Sequence, residues 1–165
     1  MAASVATMRA ENSAEKLVER GRAFASIGDS TRAEQYLAAA IDVGADVRIV
    51  LPLLLKVCIV EKHYRSAIGY AEPMLKKHPD DHRLRLVLGS LYAAIGETKT
   101  AREHLEIVAK QEPNSAEAHY ALAVLFQNEE RDPVNADLHF REYLRLEPAG
   151  VHAEEAQSSL LRTMP

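Results

Sequence analysis

Seven histidines, two pairs of adjacent carboxylates and a single cysteine are the residues of this chain with chemistry to offer. Histidines three or four apart on a helix share one face, which is the spacing two ligands of a zinc or copper ion need. His78 and His82 have that spacing, but Pro79 lies between them and puts both in a loop. His63, His104, His119, His139 and His152 fall in different helical segments, with no His, Cys or paired carboxylate at ligand spacing. The pattern predicts exposed histidines and no metal. Asp80-Asp81 and Glu129-Glu130 sit in turn-like stretches, where carboxylates cap helices or meet water rather than share a proton in acid–base work. Cys58 lies on an apolar helical stripe and reads as a small core residue, not a reactive thiol. There is no glycine-rich phosphate loop and no serine on a strained strand-to-helix turn. No catalytic residue and no cofactor are expected, and the chain reads as a non-enzyme.

The elements that would have to position such residues repeat. At a shift of 68, Gly21, Phe24, Ala25, Ile27, Gly28, Asp29, Ala33 and Leu37 fall on Gly89, Tyr92, Ala93, Ile95, Gly96, Glu97, Ala101 and Leu105. Pro79 to Pro113 is a 34-residue step, and Pro113 to Pro148 is 35, the same step with one residue inserted. Periods of this size mean stacked units, none of which can bury its apolar face alone. Leu88, Tyr92 and Ile95 mark one helical stripe, and Ala101, Leu105 and Val108 a second. Gly28 and Gly96 suit the left-handed backbone that ends a helix. Pro79, Pro113 and Pro148 stop the second helix of their units, since proline has no amide donor. Asn12 with Glu15, and Asn114 with Glu117, have capping-box spacing at helix starts.

These residues resemble the tetratricopeptide repeat, with its Leu-Gly, Tyr, Ala, Phe, Ala and Pro slots. Residues 82–115 fit best, through Leu88-Gly89, Tyr92, Ala101, Leu105 and Pro113. Residues 14–47 fit through Gly21, Phe24, Ala33, Leu37 and Ala40, and residues 116–150 through Leu122, Phe126, Ala136, Phe140 and Pro148. Residues 48–81 keep Leu54, Ala67 and Pro79, but place Leu55 and Cys58 where glycine and an aromatic are usual. The resemblance implies an all-α, right-handed α-solenoid of about four helix-turn-helix repeats (14–47, 48–81, 82–115, 116–150). Residues 1–12 form a leader, and 151–165 a C-terminal capping helix that covers the stack with Val151, Ala153, Ala156, Leu160 and Leu161. The inserted residue is placed in the turn Glu130-Arg131-Asp132-Pro133. Pro52 and Pro73 lie inside helices of the second unit and predict kinks with local repacking there.

In that family the second, fifth, ninth and twelfth positions of each first helix line a concave groove for peptide segments. Here those slots include Arg22 in the first unit, Ile49, Lys56 and Ile59 in the second, Arg83, Leu86 and Ser90 in the third, and Tyr120, Val124 and Gln127 in the fourth. They describe a partly apolar channel with cations at Arg22, Lys56 and Arg83, suited to an acidic or amphipathic partner segment. The Lys-Asn-Asn-Lys-Arg clamp for acidic chaperone tails is absent: one frame gives Val18, Arg22, Leu53, Arg83 and Val87, and the next gives Pro52, Lys56, Val87, Glu117 and Ala121.

Bulk properties agree with a protein-binding scaffold. A net charge of −4 with mixed signs argues against a nucleic-acid partner. One cysteine fits a reducing compartment, and Met1 to Asn12 has no secretory pattern, so a cytoplasmic location without membrane insertion is expected. The reading is a non-catalytic adaptor for a peptide or helix of another protein. A secretion-type chaperone and a self-assembling regulatory or structural subunit, with homo-oligomers possible, remain the alternatives.

Overall fold

In a computed structural model residues 13–161 are described, and they form α-helices with no strand among them. The helices are α1 (Ala14–Ser26), α2 (Ser30–Asp42), α3 (Val47–Val60), α4 (Tyr64–Lys77), α5 (His82–Ala94), α6 (Thr98–Gln111), α7 (Ala116–Leu125), α8 (Pro133–Leu146) and α9 (Ala153–Ser159). A π-helical turn, Phe126–Glu130, extends α7. The fold is the all-α repeat solenoid that the periodicity predicts. The expected leader, residues 1–12, lies outside the described residues. Two compact units divide the chain, Met1–Ala71 and Glu72–Pro165, and the division falls within α4. Among the described residues no helix is long and apolar enough to cross a membrane.

Short polar side chains start the helices. Asp29, Asp46, Asp81 and Asp132 accept from the backbone N–H of Arg32, Arg48, Leu84 and Asn135 and so satisfy amides that have no helical acceptor. Asp81 of the Asp80-Asp81 pair is thus a cap. Two cap positions differ from expectation. Ser115, not Asn114, caps α7, and Ser13 caps α1; Asn12 lies outside the described residues. The reason at α7 is that the Ser115 amide turns back to the Glu112 carbonyl at 2.9 Å, which leaves its hydroxyl facing the Ala118 amide. Pro52 and Pro73 sit inside unbroken helical assignments, and both are exposed, so water meets the carbonyl that each leaves without a helical donor.

Packing within the α1–α2 and α5–α6 pairs rests on a glycine. A Cβ on Gly89 would lie 2.7 Å from Leu105 Cδ2 and 2.8 Å from its Cγ; one on Gly21 would meet the same two atoms of Leu37 at 2.8 and 2.7 Å. Backbones close enough to leave no room for a methyl bury Ala33 and Ala101 completely on the facing helices. Leu17, Leu54, Cys58 and Ala67 complete the expected core of the first unit; Leu88, Leu122, Phe126, Ala136 and Phe140 do so in the second. Two expected core aromatics are only half-buried. Phe24 stacks on Tyr36 at 5.3 Å with the Arg32 guanidinium 5.2 Å over its ring. Tyr92 stacks on His104 at 5.6 Å and donates its hydroxyl proton to Glu72. The slot therefore lies at the edge of the pair, where one ring face meets polar neighbours. Cys58 is fully buried, and burial, with Glu34 adding to it, pushes its thiol up to about 12.

The turn inside each pair has one geometry. A backbone amide reaches back five residues: Asp29 to Phe24 at 2.9 Å, His63 to Cys58 at 2.8 Å, and Glu97 to Tyr92 at 2.9 Å. The residue before each donor is left-handed, with φ of 80° at Gly28, 59° at Lys62 and 79° at Gly96. In the last pair Asp132 reaches Phe126, six residues back, at 2.9 Å, and Arg131 takes the left-handed position with φ of 53°. The inserted residue thus acts earlier than expected. It widens the end of α7 into the π turn and leaves the turn itself in the common form.

The C-terminal helix is shorter than Val151–Thr163. It starts at Ala153; Val151 precedes it in a turn and is 92% exposed, and Leu161 is exposed beyond its end. Of the five residues expected to cover the stack, Ala156 alone is fully buried, because the chain must first turn past Tyr143 before it can become helical. Gly150 makes that turn: a Cβ there would lie 2.5 Å from the Tyr143 hydroxyl.

Two stability outcomes follow from this packing. Gly89→Leu is expected to overpack the α5–α6 crossing and cost about 1–3 kcal/mol, read from urea unfolding; an unchanged midpoint would mean the helices do not touch there. Lys62→Gly removes a side chain from a left-handed position and is expected to stabilise by about 1 kcal/mol in the same measurement, whereas a loss of stability would contradict that backbone geometry.

Candidate partner-binding cleft

Helices α5 and α7 of the second unit flank a cleft of about 540 Å³. Its apolar wall is Leu86, Ala93 and Ala94 from α5, Ala121 and Val124 from α7, and Leu105 behind them. The helical period puts these residues together, because Leu86, Ala93 and Ala94 recur at seven and eight positions along one face. Polar groups stand around the wall: Ser90, Asn128, Glu117, Glu129 and Glu147. One end is closed by the segment that enters α9. His152 stacks on Tyr120 at 3.9 Å, and its backbone amide donates to the Tyr143 hydroxyl at 3.0 Å. Tyr120 donates its hydroxyl proton to Glu155 at 2.7 Å; burial first, then this bond, pushes its ionisation up to about 12. The ring is thus a neutral, fixed wall at any physiological pH.

The structure brings four of the ten sequence-predicted groove residues into this cleft: Leu86, Ser90, Tyr120 and Val124. Arg83 is exposed and lines an adjoining hollow with His82, Val87, Val108 and Glu117. Gln127 is exposed but does not line the cleft; Asn128 and Glu129 do. The π turn accounts for the change, since its wider spacing rotates every residue after Phe126 around the helix axis. Arg22, Ile49, Lys56 and Ile59 belong to the compact unit Met1–Ala71 and are exposed on α1 and α3. The cleft contains no lysine or arginine, in contrast to the cation-bearing channel read from the sequence. Sequence reasoning missed Tyr143, Glu147, Val151 and His152, which come from outside the first helices. The fully buried Tyr143 had one usable signal, an aromatic three residues after Phe140 on the apolar stripe of α8.

Residues 61–125 match a family model described as the tetratricopeptide repeat. That segment is a tetratricopeptide repeat region. Solved structures carry the fold beyond the matched segment. YrrB, described as a tetratricopeptide protein with an unusual peptide-binding site, is similar at a TM-score of 0.76 and 18% identity, over 90% of this chain and 76% of that one. MamA from Desulfovibrio magneticus RS-1 is similar at 0.72 and 21%, over 86% and 79%. Among curated proteins, the human protein O-mannosyl-transferase TMTC1 is 25% identical over 114 residues, which is 69% of this chain and 13% of that protein. The mouse protein of the same name matches at 25% over 12% of its length. This chain thus spans about an eighth of the length of the curated relatives it matches. Tetratricopeptide repeats are scaffolds for protein–protein interaction, and that general role is the one the fold supports.

Among the described residues no group of three or more His, Cys, Asp or Glu is placed to hold a metal. Two histidines nevertheless meet, although their positions in different helices had left each without an expected partner. His119 of α7 and His139 of α8 face each other with Nδ1 atoms 3.0 Å apart. The Pro113 carbonyl, 3.1 Å from His119 Nε2, can only accept, so that nitrogen carries the proton. In the neutral ring His119 Nδ1 is then the acceptor, and His139 Nδ1–H donates to it. His139 also stacks on Phe126 at 5.6 Å. Burial, and then the neighbouring His119, hold the His139 pKa below its ordinary 6.5. The folded state therefore binds fewer protons than the unfolded chain as pH falls through that value, and stability is lost with acidification. His104, lowered by burial and then by Arg85, contributes in the same sense. The melting temperature is expected to fall from about pH 7 to about pH 5, and to fall less in His139→Gln. An identical pH profile for the variant would show that the histidine pair does not carry the effect.

Proposed function

We propose that this chain is a non-catalytic adaptor that holds a short segment of another protein in the cleft between α5 and α7. The observation that carries this reading is the cleft itself, an apolar wall with separated polar groups at its mouth. Apolar walls with a few fixed polar groups are how grooves take side chains of a bound segment and set its direction. The likeness to YrrB, whose description names a peptide-binding site, supports the same use of the fold. Tyr120 is held by His152, Tyr143 and Glu155, so the wall is preorganised and a ligand does not have to order it.

Ser90 offers a clean test. It is exposed, lines the cleft, and makes one local hydrogen bond to the Leu86 carbonyl at 3.1 Å. Ser90→Trp fills the cleft without touching the core. Selection from a displayed peptide library is expected to enrich a peptide class on the wild-type protein that the variant fails to hold, with unchanged circular dichroism. Equal retention by the folded variant would remove the cleft as the binding site.

A further inference from the structure

We infer that the segment held in the α5–α7 cleft is apolar in its middle and cationic at both ends; this rests on the cleft reading above. The mouth carries three carboxylates, Glu117, Glu129 and Glu147, and no lysine or arginine lines the cleft. All three are exposed, and among the described residues none is paired with a base. Their neighbours outside the cleft behave differently. Glu130, next to Glu129, is held by Arg102 at 3.1 Å, and Glu142 on α8 is held by Arg145 at 2.6 Å. Glu130 and Glu142 are thus neutralised, while among the described residues Glu117, Glu129 and Glu147 carry no ion pair; the cation Arg83 lines the adjoining hollow with Glu117 but not the cleft. Beside an apolar wall such charges focus a negative potential that draws cations and repels acidic segments.

The spacing gives the ligand a length. Glu117 opens α7 and Glu129 lies twelve residues later in the π turn, so the two stand at opposite ends of the cleft. At about 1.5 Å per helical residue they are roughly 18 Å apart along the axis. An extended chain covers that distance in about five or six residues at roughly 3.3 Å each. Lysine or arginine at the ends of such a stretch reaches both carboxylates, while alternate apolar side chains face Leu86, Ala121 and Val124. Glu147 on the α8 side offers a third acceptor.

Three dye-labelled synthetic peptides decide the point by fluorescence anisotropy. Each alternates leucine and serine over about seven residues, with ends of lysine, glutamine or glutamate. The lysine-ended peptide is expected to bind at least about tenfold more tightly than the glutamine-ended one at low salt, and the advantage should shrink as salt rises. In the Glu117→Lys, Glu129→Lys, Glu147→Lys variant the preference should invert toward the glutamate ends. The corresponding triple glutamine variant, which should lose the preference, serves if the reversed protein does not fold. Equal binding of lysine and glutamine ends, a wild-type preference for glutamate ends, or a preference unchanged in the triple variants would each overturn the charge assignment while leaving the cleft in place. Binding that Ser90→Trp does not weaken, or no binding of any peptide, would overturn the cleft reading along with it.

Discussion

Two of the helical pairs, α1–α2 and α5–α6, depend on a leucine side chain occupying the space where a β-carbon would otherwise be. Leu37 lies against Gly21 and Leu105 against Gly89, at separations no methyl could tolerate, and the Ala33 and Ala101 carbonyls are 3.4 Å from the same points. This close approach fixes the distance and the rotation of the two helices together, because interiors at crystal-like packing density have no slack to slide. The stripes on either side of the glycine then have one register in which they bury. The same position holds Leu55 in α3 and Ala123 in α7, both buried, so the slot stays a packing position even where its residue changes.

A second constraint acts at the turns. An amide returning to the carbonyl of the residue at the aromatic slot, preceded by one left-handed residue, closes every pair. Glycine takes the left-handed position without strain in two pairs; Lys62 and Arg131 hold it in the others, at some cost in conformational energy. Because that closing bond is the fixed object, an added residue cannot simply lengthen the loop. It is absorbed upstream as the π turn after Leu125, and Asp132 still caps α8. The functional consequence is local: the face of α7 that meets the cleft changes from Gln127 to Asn128 and Glu129.

The cleft is what the repeats leave unfilled. Small residues such as Ala93, Ala94 and Ala121, which permit close helix contacts, also leave room on the side away from the partner helix. The segment entering α9 shapes that room by placing His152 against Tyr120 and Tyr143: its ring stacks on Tyr120, its amide donates to the Tyr143 hydroxyl, and Tyr120 donates to Glu155. Among the described residues the cleft carboxylates Glu117, Glu129 and Glu147 carry no ion pair, while Glu130 and Glu142 are held by Arg102 and Arg145.

Local order was written in the sequence. The turn glycines and the stopping prolines are short-range facts of spacing, and the period follows from comparing one repeat with the next. Leu86, Ser90, Tyr120 and Val124 were legible as cleft residues for the same reason, since they share a helical face. Three things needed the folded chain. His119 and His139 meet only because α7 and α8 pack, and no spacing along one helix reveals a pair on two. The half-burial of Phe24 and Tyr92 depends on which ring face a neighbour covers. The charge of the cleft depends on Glu129 replacing Gln127, on Glu147 arriving from α8, and on which carboxylates find a base nearby. Sequence sets which residues share a helix face; tertiary packing sets which faces meet, and electrostatics belongs to the meeting.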